Sequence, residues 1–164
     1  MAITSNPRKT DDVRKAAGRL SSEARSADQL MEKISLLLNK EMLKYNWVGF
    51  YMLEAGASPP ALVLGRYQGA MTVHTRIGLN QGICGAAAAS GKTLVVDDVK
   101  KDPRYLACSL ETKSEIVVPV FAHGKVVGEL DIDSHFPAAF APDDQSFVQH
   151  CAALVGAKFE KSGR

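Results

Sequence analysis

The sequence predicts an α+β fold in which a central antiparallel sheet is flanked by helices at the N- and C-terminal ends of the chain. Two pairs of runs rich in β-branched and aromatic residues each enclose a turn, which is typical of β-hairpins; they are NWVGFYML with ALVLGRYQG, and SEIVVPV with KVVGELDID. Apolar residues recur at helical spacing near both ends. We expect a partly helical or disordered segment over residues 1–20, followed by a single domain over residues 21–164.

The helices are predicted from apolar spacing and from capping residues. Residues 30–42 carry leucine, isoleucine and methionine on one helical face, and Ser26 or Asp28 can cap the start. Near the other end, APDD (141–144) supplies proline and acidic residues for the first turn of a closing helix. Cys151 lies on the apolar face of that helix, so we expect it to belong to the core.

The middle of the chain is predicted to hold the remaining strands and a short helix. Residues 46–53 and 61–69 form the first hairpin around AGASPP, and TVHTRI (72–77) alternates as a half-buried strand does. NQGICGAAAASG (80–91) reads as a short helix that places Cys84 near its N-terminus. Residues 97–114 form a polar loop that contains Cys108, and residues 114–133 form a hairpin across His123 and Gly124.

Composition excludes several classes of partner. The formal net charge is +2 and charged residues make up 23% of the chain, so we expect neither nucleic acid nor an anionic membrane as a partner. No apolar run opens the chain, and no segment approaches the roughly 20 apolar residues needed to span a bilayer. We therefore expect a cytoplasmic protein. An odd count of three cysteines favours a transient, catalytic disulfide over a structural framework.

The cysteines leave two interpretations open. Neither Cys84 nor Cys108 belongs to a CxxC pair, and no histidine beside them has the spacing of a zinc site, so no metal is expected. Thiol chemistry needs a low-pKa thiolate, for which exposed N–H groups at the helix start could help Cys84. The alternative is that both are buried as small hydrophobic residues.

A carboxylate pattern follows Cys108. Glu115 begins a strand, and Asp131 and Asp133 are two residues apart, so the two aspartates share one face while Ile132 takes the other. Acidic groups on a sheet face cost desolvation energy unless they are partnered, which suggests a pocket for an amine or a hydrogen-bond donor. Alternatively, the aspartates end the strand and cap the loop that follows.

Four segments together resemble the free methionine-(R)-sulfoxide reductases, which are built on a GAF domain. They are NWVGFY (46–51), QGICG (81–85), LACSLETKSEIVVPV (106–120) and GELDIDS (128–134), and the resemblance covers roughly residues 28–155. It implies a GAF-like domain that reduces free L-methionine-(R)-sulfoxide to methionine without an organic cofactor. By resemblance, the residues match the following roles: Cys108 the catalytic cysteine, Cys84 a second family cysteine, Glu115 and Asp133 the carboxylates that engage the sulfoxide, and Asp131, Trp47 and Tyr51 the substrate pocket.

One residue departs from the family pattern. His74 stands where the family commonly has a third cysteine, which resolves the oxidised catalytic residue. Resolution then falls to Cys84, to an external thiol, or to nothing, and we expect Cys84 to resolve and a thioredoxin-type partner to supply electrons. His74 would line the pocket, where it could hydrogen-bond a substrate carboxylate.

A different class of function stays open beside the enzyme. GAF folds host many functions, so the chain could be a non-catalytic module that binds a small ligand or senses redox state, and a homodimer is possible. The missing third cysteine favours that alternative. Against it, a sensor needs neither Cys108 nor the clustered Glu115 and Asp133, so the sequence favours the enzyme.

Overall fold

The computed structural model describes residues 6–107 and 109–162. Within them, four α-helices and six strands follow one another in the order α1 (Pro7–Glu23), α2 (Ala27–Glu41), β1 (Trp47–Leu53), β2 (Ala61–Gln68), β3 (Arg76–Gly78), α3 (Gly82–Ser90), β4 (Leu94–Val96), β5 (Ser114–Ala122), β6 (Lys125–Ser134) and α4 (Pro142–Lys161). The strands form one antiparallel sheet in the order β3-β2-β1-β6-β5-β4. The predicted α+β fold is therefore confirmed.

The sheet separates two apolar clusters because successive side chains of a strand point to opposite faces. Helices α1, α2 and α4 pack on one face over the larger cluster, which includes Phe50, Ile132 and Phe147. Helix α3 covers the other face over a smaller cluster. Cys151 is fully buried in the larger cluster, as its place on the apolar face of α4 predicted.

The predicted start of α2 and the predicted turn between β5 and β6 are both found in the structure. The Ser26 side chain accepts a hydrogen bond from the Gln29 backbone and caps α2, while Asp28 forms an ion pair with Arg66. Between β5 and β6, His123 and Gly124 have φ angles of 52° and 74°. Both values are those of a two-residue type I′ hairpin turn, so the predicted turn is confirmed.

One predicted strand was largely wrong, and one short strand was not predicted. Of the predicted strand 72–77, only Arg76 and Ile77 pair in the sheet, as part of β3, while residues 72–75 form a loop. In that loop the His74 carbonyl accepts from the Tyr51 hydroxyl, and only the Thr75 carbonyl accepts from a strand backbone, that of Leu64. Strand β4, which pairs with β5, was missed because three residues are too few to show an alternation.

The N-terminal helix packs into the same core as the rest of the chain. Asn6 caps it, and Val13 and Ala17 are buried beside α4. Residues 1–5 lie outside the described ranges. The expected division of the chain near residue 20 stays a prediction. None of the helices in the described residues has both the length and the apolar character needed to cross a bilayer.

Candidate active site

Four carboxyl groups lie on the sheet face that α3 covers. The antiparallel register pairs Glu115 of β5 with Asp133 of β6, and the alternation of β6 puts Glu129, Asp131 and Asp133 on one side. Ile132 points into the core on the opposite side. The face shared by Asp131 and Asp133 is therefore confirmed, and we call the four acidic residues together the carboxylate face.

Strand β1 adds aromatic side chains next to the carboxylate face. Trp47 pairs with Asp133, and Tyr51 pairs with Glu129. The indole stacks on Tyr51 and on Tyr67, with ring centroids 6.2 Å and 5.5 Å away. Gly49 lies between Trp47 and Tyr51 in β1, and its lack of a side chain leaves room for the indole. The prediction that Trp47 and Tyr51 face the same side is confirmed.

Two loops are attached to this aromatic pair by hydrogen bonds. Trp47 Nε1 donates to the Ala70 carbonyl at 3.0 Å, and the Tyr51 hydroxyl donates to the His74 carbonyl at 2.7 Å. His74 Nε2 lies 3.2 Å from the Ala107 carbonyl and donates to it in the Nε2-protonated tautomer. Residues 70–75 are thereby linked both to β1 and to the loop that leads into β5.

These elements enclose two neighbouring cavities that share Tyr51 and Asp131. The outer cavity has a volume of about 100 Å³ and is lined by Asn46, Trp47, Tyr51, Ala70, Met71, Thr72, Ser109, Glu111, Thr112, Asp131, Asp133 and His135. The inner cavity has a volume of about 20 Å³ and is lined by Tyr51, His74, Ile77, Gly82, Ile83, Cys84, Leu106, Glu115 and Asp131. A small polar molecule can therefore contact both the aromatic rings and the carboxylate face.

Cys84 is the third residue of α3 and lies over the carboxylate face. Its Sγ lies 3.4 Å from Asp131 Oδ2, and the residue is buried as a free thiol. Burial raises the pKa of Cys84 well above its usual value, and the nearby Asp131, Glu129 and Glu115 raise it further. With its pKa raised, Cys84 is a thiol rather than a thiolate at neutral pH.

Burial also raises the pKa values of Glu129, Asp131 and Asp133. For Asp133, burial and then the charge of Asp131 raise the pKa well above its usual value. The pKa of Glu129 is raised well above its usual value mainly by burial. Burial raises the pKa of Asp131 as well, although hydrogen bonds with Glu115 and Cys84 oppose the rise. Carboxyl groups that stay protonated near neutral pH can act as proton donors.

Several oxygens of the carboxylate face have no hydrogen-bond partner among the described residues. They are Asp131 Oδ1, Asp133 Oδ1 and both carboxyl oxygens of Glu129, which is fully buried. The Cys84 thiol lies close enough to Glu129 to oppose the rise of the Glu129 pKa that burial causes. Buried polar atoms are rarely left unpaired, so this face is suited to a ligand that brings hydrogen-bond donors or positive charge.

The fold brings together seven of the eight residues that the sequence singled out. Around the two cavities lie Trp47, Tyr51, His74, Cys84, Glu115, Asp131 and Asp133. Cys108 lies outside the described residues. Its neighbours are placed at the same site, since Ala107 contacts His74 and Ser109 lines the outer cavity. The role of each residue stays a prediction.

The sequence analysis missed three acidic or basic residues of the site. Glu129 continues the alternation of Asp131 and Asp133 by one step along GELDID, which is the signal that could have identified it. Glu111 and His135 line the outer cavity, with Glu111 Oε2 3.5 Å from His135 Nε2. No spacing in the sequence connects these two, because they lie on different segments that only the fold brings together.

Comparison with known proteins agrees with this geometry. Residues 26–159 match the GAF domain family. A protein of Saccharomyces cerevisiae named free methionine-R-sulfoxide reductase is 40% identical over 67% of this chain and 61% of its own length, and an Escherichia coli protein of the same name is 34% identical over 74% and 70%. The structure of the Neisseria meningitidis free methionine-R-sulfoxide reductase in complex with its substrate has a TM-score of 0.88 at 28% identity, covering 100% of this chain and 98% of that one. The chain belongs to the free methionine-R-sulfoxide reductase family of GAF-domain proteins.

Proposed function

We propose that this protein reduces free L-methionine-(R)-sulfoxide to methionine with thiols as the source of electrons. The observation that carries the proposal is the cluster of buried carboxyl groups beside an aromatic-walled cavity, which the chain neighbours of Cys108 also border. Relatives that carry the name of this enzyme support the same reaction.

The aromatic side chains and the carboxylate face each recognise a different part of the substrate. Trp47 and Tyr51 offer aromatic faces to the sulfur-bearing end of the substrate, to which thioethers and related groups are attracted. Asp131, whose Oδ1 has no hydrogen-bond partner among the described residues, or Glu115 binds the ammonium group. A methionine residue within a peptide has an amide in place of that ammonium group. The peptide that precedes and follows it does not fit in the enclosed cavity.

The reaction assigns one role to the thiol and another to the carboxyl groups. The Cys108 sulfur attacks the sulfoxide sulfur, and Glu115 or Asp133 donates a proton to the oxygen as the sulfur–oxygen bond of the substrate breaks. The substrate sulfur gains two electrons and Cys108 loses two. The released oxygen is then transferred as a hydroxyl group to the Cys108 sulfur while the transient bond between the two sulfurs breaks, so methionine leaves and Cys108 becomes a sulfenic acid.

Resolution of the sulfenic acid is assigned to Cys84. Its thiol condenses with oxidised Cys108 to a disulfide and releases water, and a thioredoxin-type partner in the cytoplasm reduces that disulfide. His74 lines the inner cavity at the position of the family's third cysteine. Because the pKa of Cys84 is raised, we expect thioredoxin-dependent turnover to accelerate as pH rises above neutrality, and to lose that acceleration in Cys84→Ser.

The substrate assay tests the proposal with dithiothreitol as reductant, which needs no resolving cysteine. Methionine should form from the free (R)-sulfoxide and neither from the (S)-sulfoxide nor from the N-acetylated (R)-sulfoxide. Glu115→Gln and Asp133→Asn should each lower the chemical rate about 10²- to 10⁴-fold, because an amide keeps the shape but lacks the acidic proton. If the (R)-sulfoxide binds without forming methionine, the chain is a ligand-binding module instead.

A further inference from the structure

The fold brings together three metal-ligating side chains that are far apart in sequence. Cys84 of α3, Glu115 of β5 and Asp131 of β6 each offer one atom, and these three atoms lie within 4.8 Å of one another. The linear spacing of these residues predicted no metal site. The convergence arises from the pairing of β5 with β6 and from the packing of α3 on the same face.

The space between these ligands fits one small cation. All three residues line the inner cavity, whose volume of about 20 Å³ is close to that of a single water molecule. A tetrahedral zinc ion with ligands at about 2.0–2.3 Å has its ligand atoms roughly 3.3–3.8 Å apart. Side-chain rotations that bring the ligand atoms about 1 Å closer are therefore sufficient.

Glu129 is an independent indication that positive charge belongs here. It is fully buried, and neither of its carboxyl oxygens has a hydrogen-bond partner among the described residues. It interacts with the thiol of Cys84 and with Asp131, so it lies against the cluster. Asp131 Oδ1 is unpartnered as well. A cation held by Asp131 in the inner cavity would bring positive charge next to both buried carboxyl groups.

We propose that Cys84, Glu115 and Asp131 bind a divalent cation of the zinc class, and that the buried carboxylate of Glu129 beside Cys84 supports it by charge rather than as a ligand. A thiolate with carboxylate oxygens suits zinc better than magnesium or calcium, which prefer oxygen ligands alone. The thiol proton of Cys84 leaves to solvent when the sulfur coordinates the metal. This consequence rests on the proposed function: the bound ion inhibits reduction of methionine sulfoxide, because it occupies both Cys84 and Asp131.

Cobalt(II) tests the ligand set directly because a thiolate bound to it gives a charge-transfer band in the near ultraviolet. The reduced protein should bind one cobalt per chain with that band, and zinc should displace it. Cys84→Ser should lose the band, whereas Cys108→Ser and Cys151→Ser should keep it. A band that is absent from the parent, that persists in Cys84→Ser, or that disappears in Cys108→Ser overturns the assignment.

Zinc titration by calorimetry tests the carboxylates while leaving the thiol in place. Asp131→Asn and Glu129→Gln should each weaken zinc binding at least tenfold, a loss in the range seen when supporting or ligating groups of metal sites are removed. Asp28→Asn is the matched control, because Asp28 is a surface carboxylate paired with Arg66. Unchanged affinity in both site variants contradicts the proposal. Zinc binding and methionine formation are separate measurements, so failure of one leaves the other interpretable.

Discussion

The Gly49→Ala substitution tests whether the position of the Trp47 indole matters to the site. A Cβ atom built at Gly49 lies 2.7 Å from Trp47 Cζ3 and 2.8 Å from Tyr67 Cβ, whereas ordinary contact begins at 3.4 Å. Tyr67 is the cross-strand partner of Gly49, so the new methyl group must both displace the indole and push β1 slightly away from β2. The nearest indole atom, Cη2, is closer than Cζ3, so the indole must move by about 1 Å to restore ordinary contact, and overpacking of this kind costs about 1–3 kcal/mol of stability.

A small displacement of the indole should lower the catalytic rate strongly. A misplacement of about 1 Å in a positioned site can cost about 100-fold in rate, so we expect kcat/KM for free methionine-(R)-sulfoxide to fall about 10- to 100-fold. Trp47 is the only tryptophan, so its fluorescence should change in the variant and respond less to added methionine. Gly18→Ala is the control, since nothing lies within 4 Å of a Cβ there and the substitution lies within α1. Parental kcat/KM in Gly49→Ala, with a displaced indole, would refute the reasoning.

Two further predictions concern stability. Lys44→Met should lower the free energy of unfolding by about 3–5 kcal/mol, because Lys44 Nζ lies 2.7 Å from Asp144 in a buried pair, whereas Lys9→Met, at a more exposed pair with Glu41, should change it by less than about 1 kcal/mol. Equal losses in urea unfolding would contradict this difference. Glu129 has a pKa raised by burial, so its stabilising contribution is complete below its unfolded pKa and is lost as pH rises toward its folded pKa. The stability of Glu129→Gln relative to the parent should therefore rise over that window by about 1.4 kcal/mol per pH unit, and a pH-independent difference would count against protonated Glu129.

The sequence predicted those elements whose pattern is local. The hairpins and the helix caps follow from short-range signals, so Ser26 and the His123–Gly124 turn could be placed correctly. The loop 72–75 alternates like a strand, but it is attached by a hydrogen bond from the Tyr51 hydroxyl to the His74 carbonyl, and that contact joins residues distant in sequence. Strand β4 is defined by its pairing with β5 and carries no pattern of its own.

In the candidate site, too, local sequence patterns predicted some features, and contacts between distant residues determine the others. Asp131 and Asp133 were placed on one face by alternation alone, and Glu129 could have been added by the same rule. The surroundings of Cys84 could not be predicted, because its pKa depends on burial under α3 and on carboxyl groups contributed by β5 and β6. The ligand cluster of Cys84, Glu115 and Asp131 likewise exists only through sheet register.

The central claim is that Cys108 reduces free methionine-(R)-sulfoxide at this site, and single-turnover methionine formation tests it most directly. Reduced parent protein without added reductant should release methionine from the free (R)-sulfoxide, while Cys108→Ser should release none and keep its fold by circular dichroism. Cys151→Ser, altered at a cysteine buried in the core, should still release methionine. A full turnover by Cys108→Ser would contradict the claim.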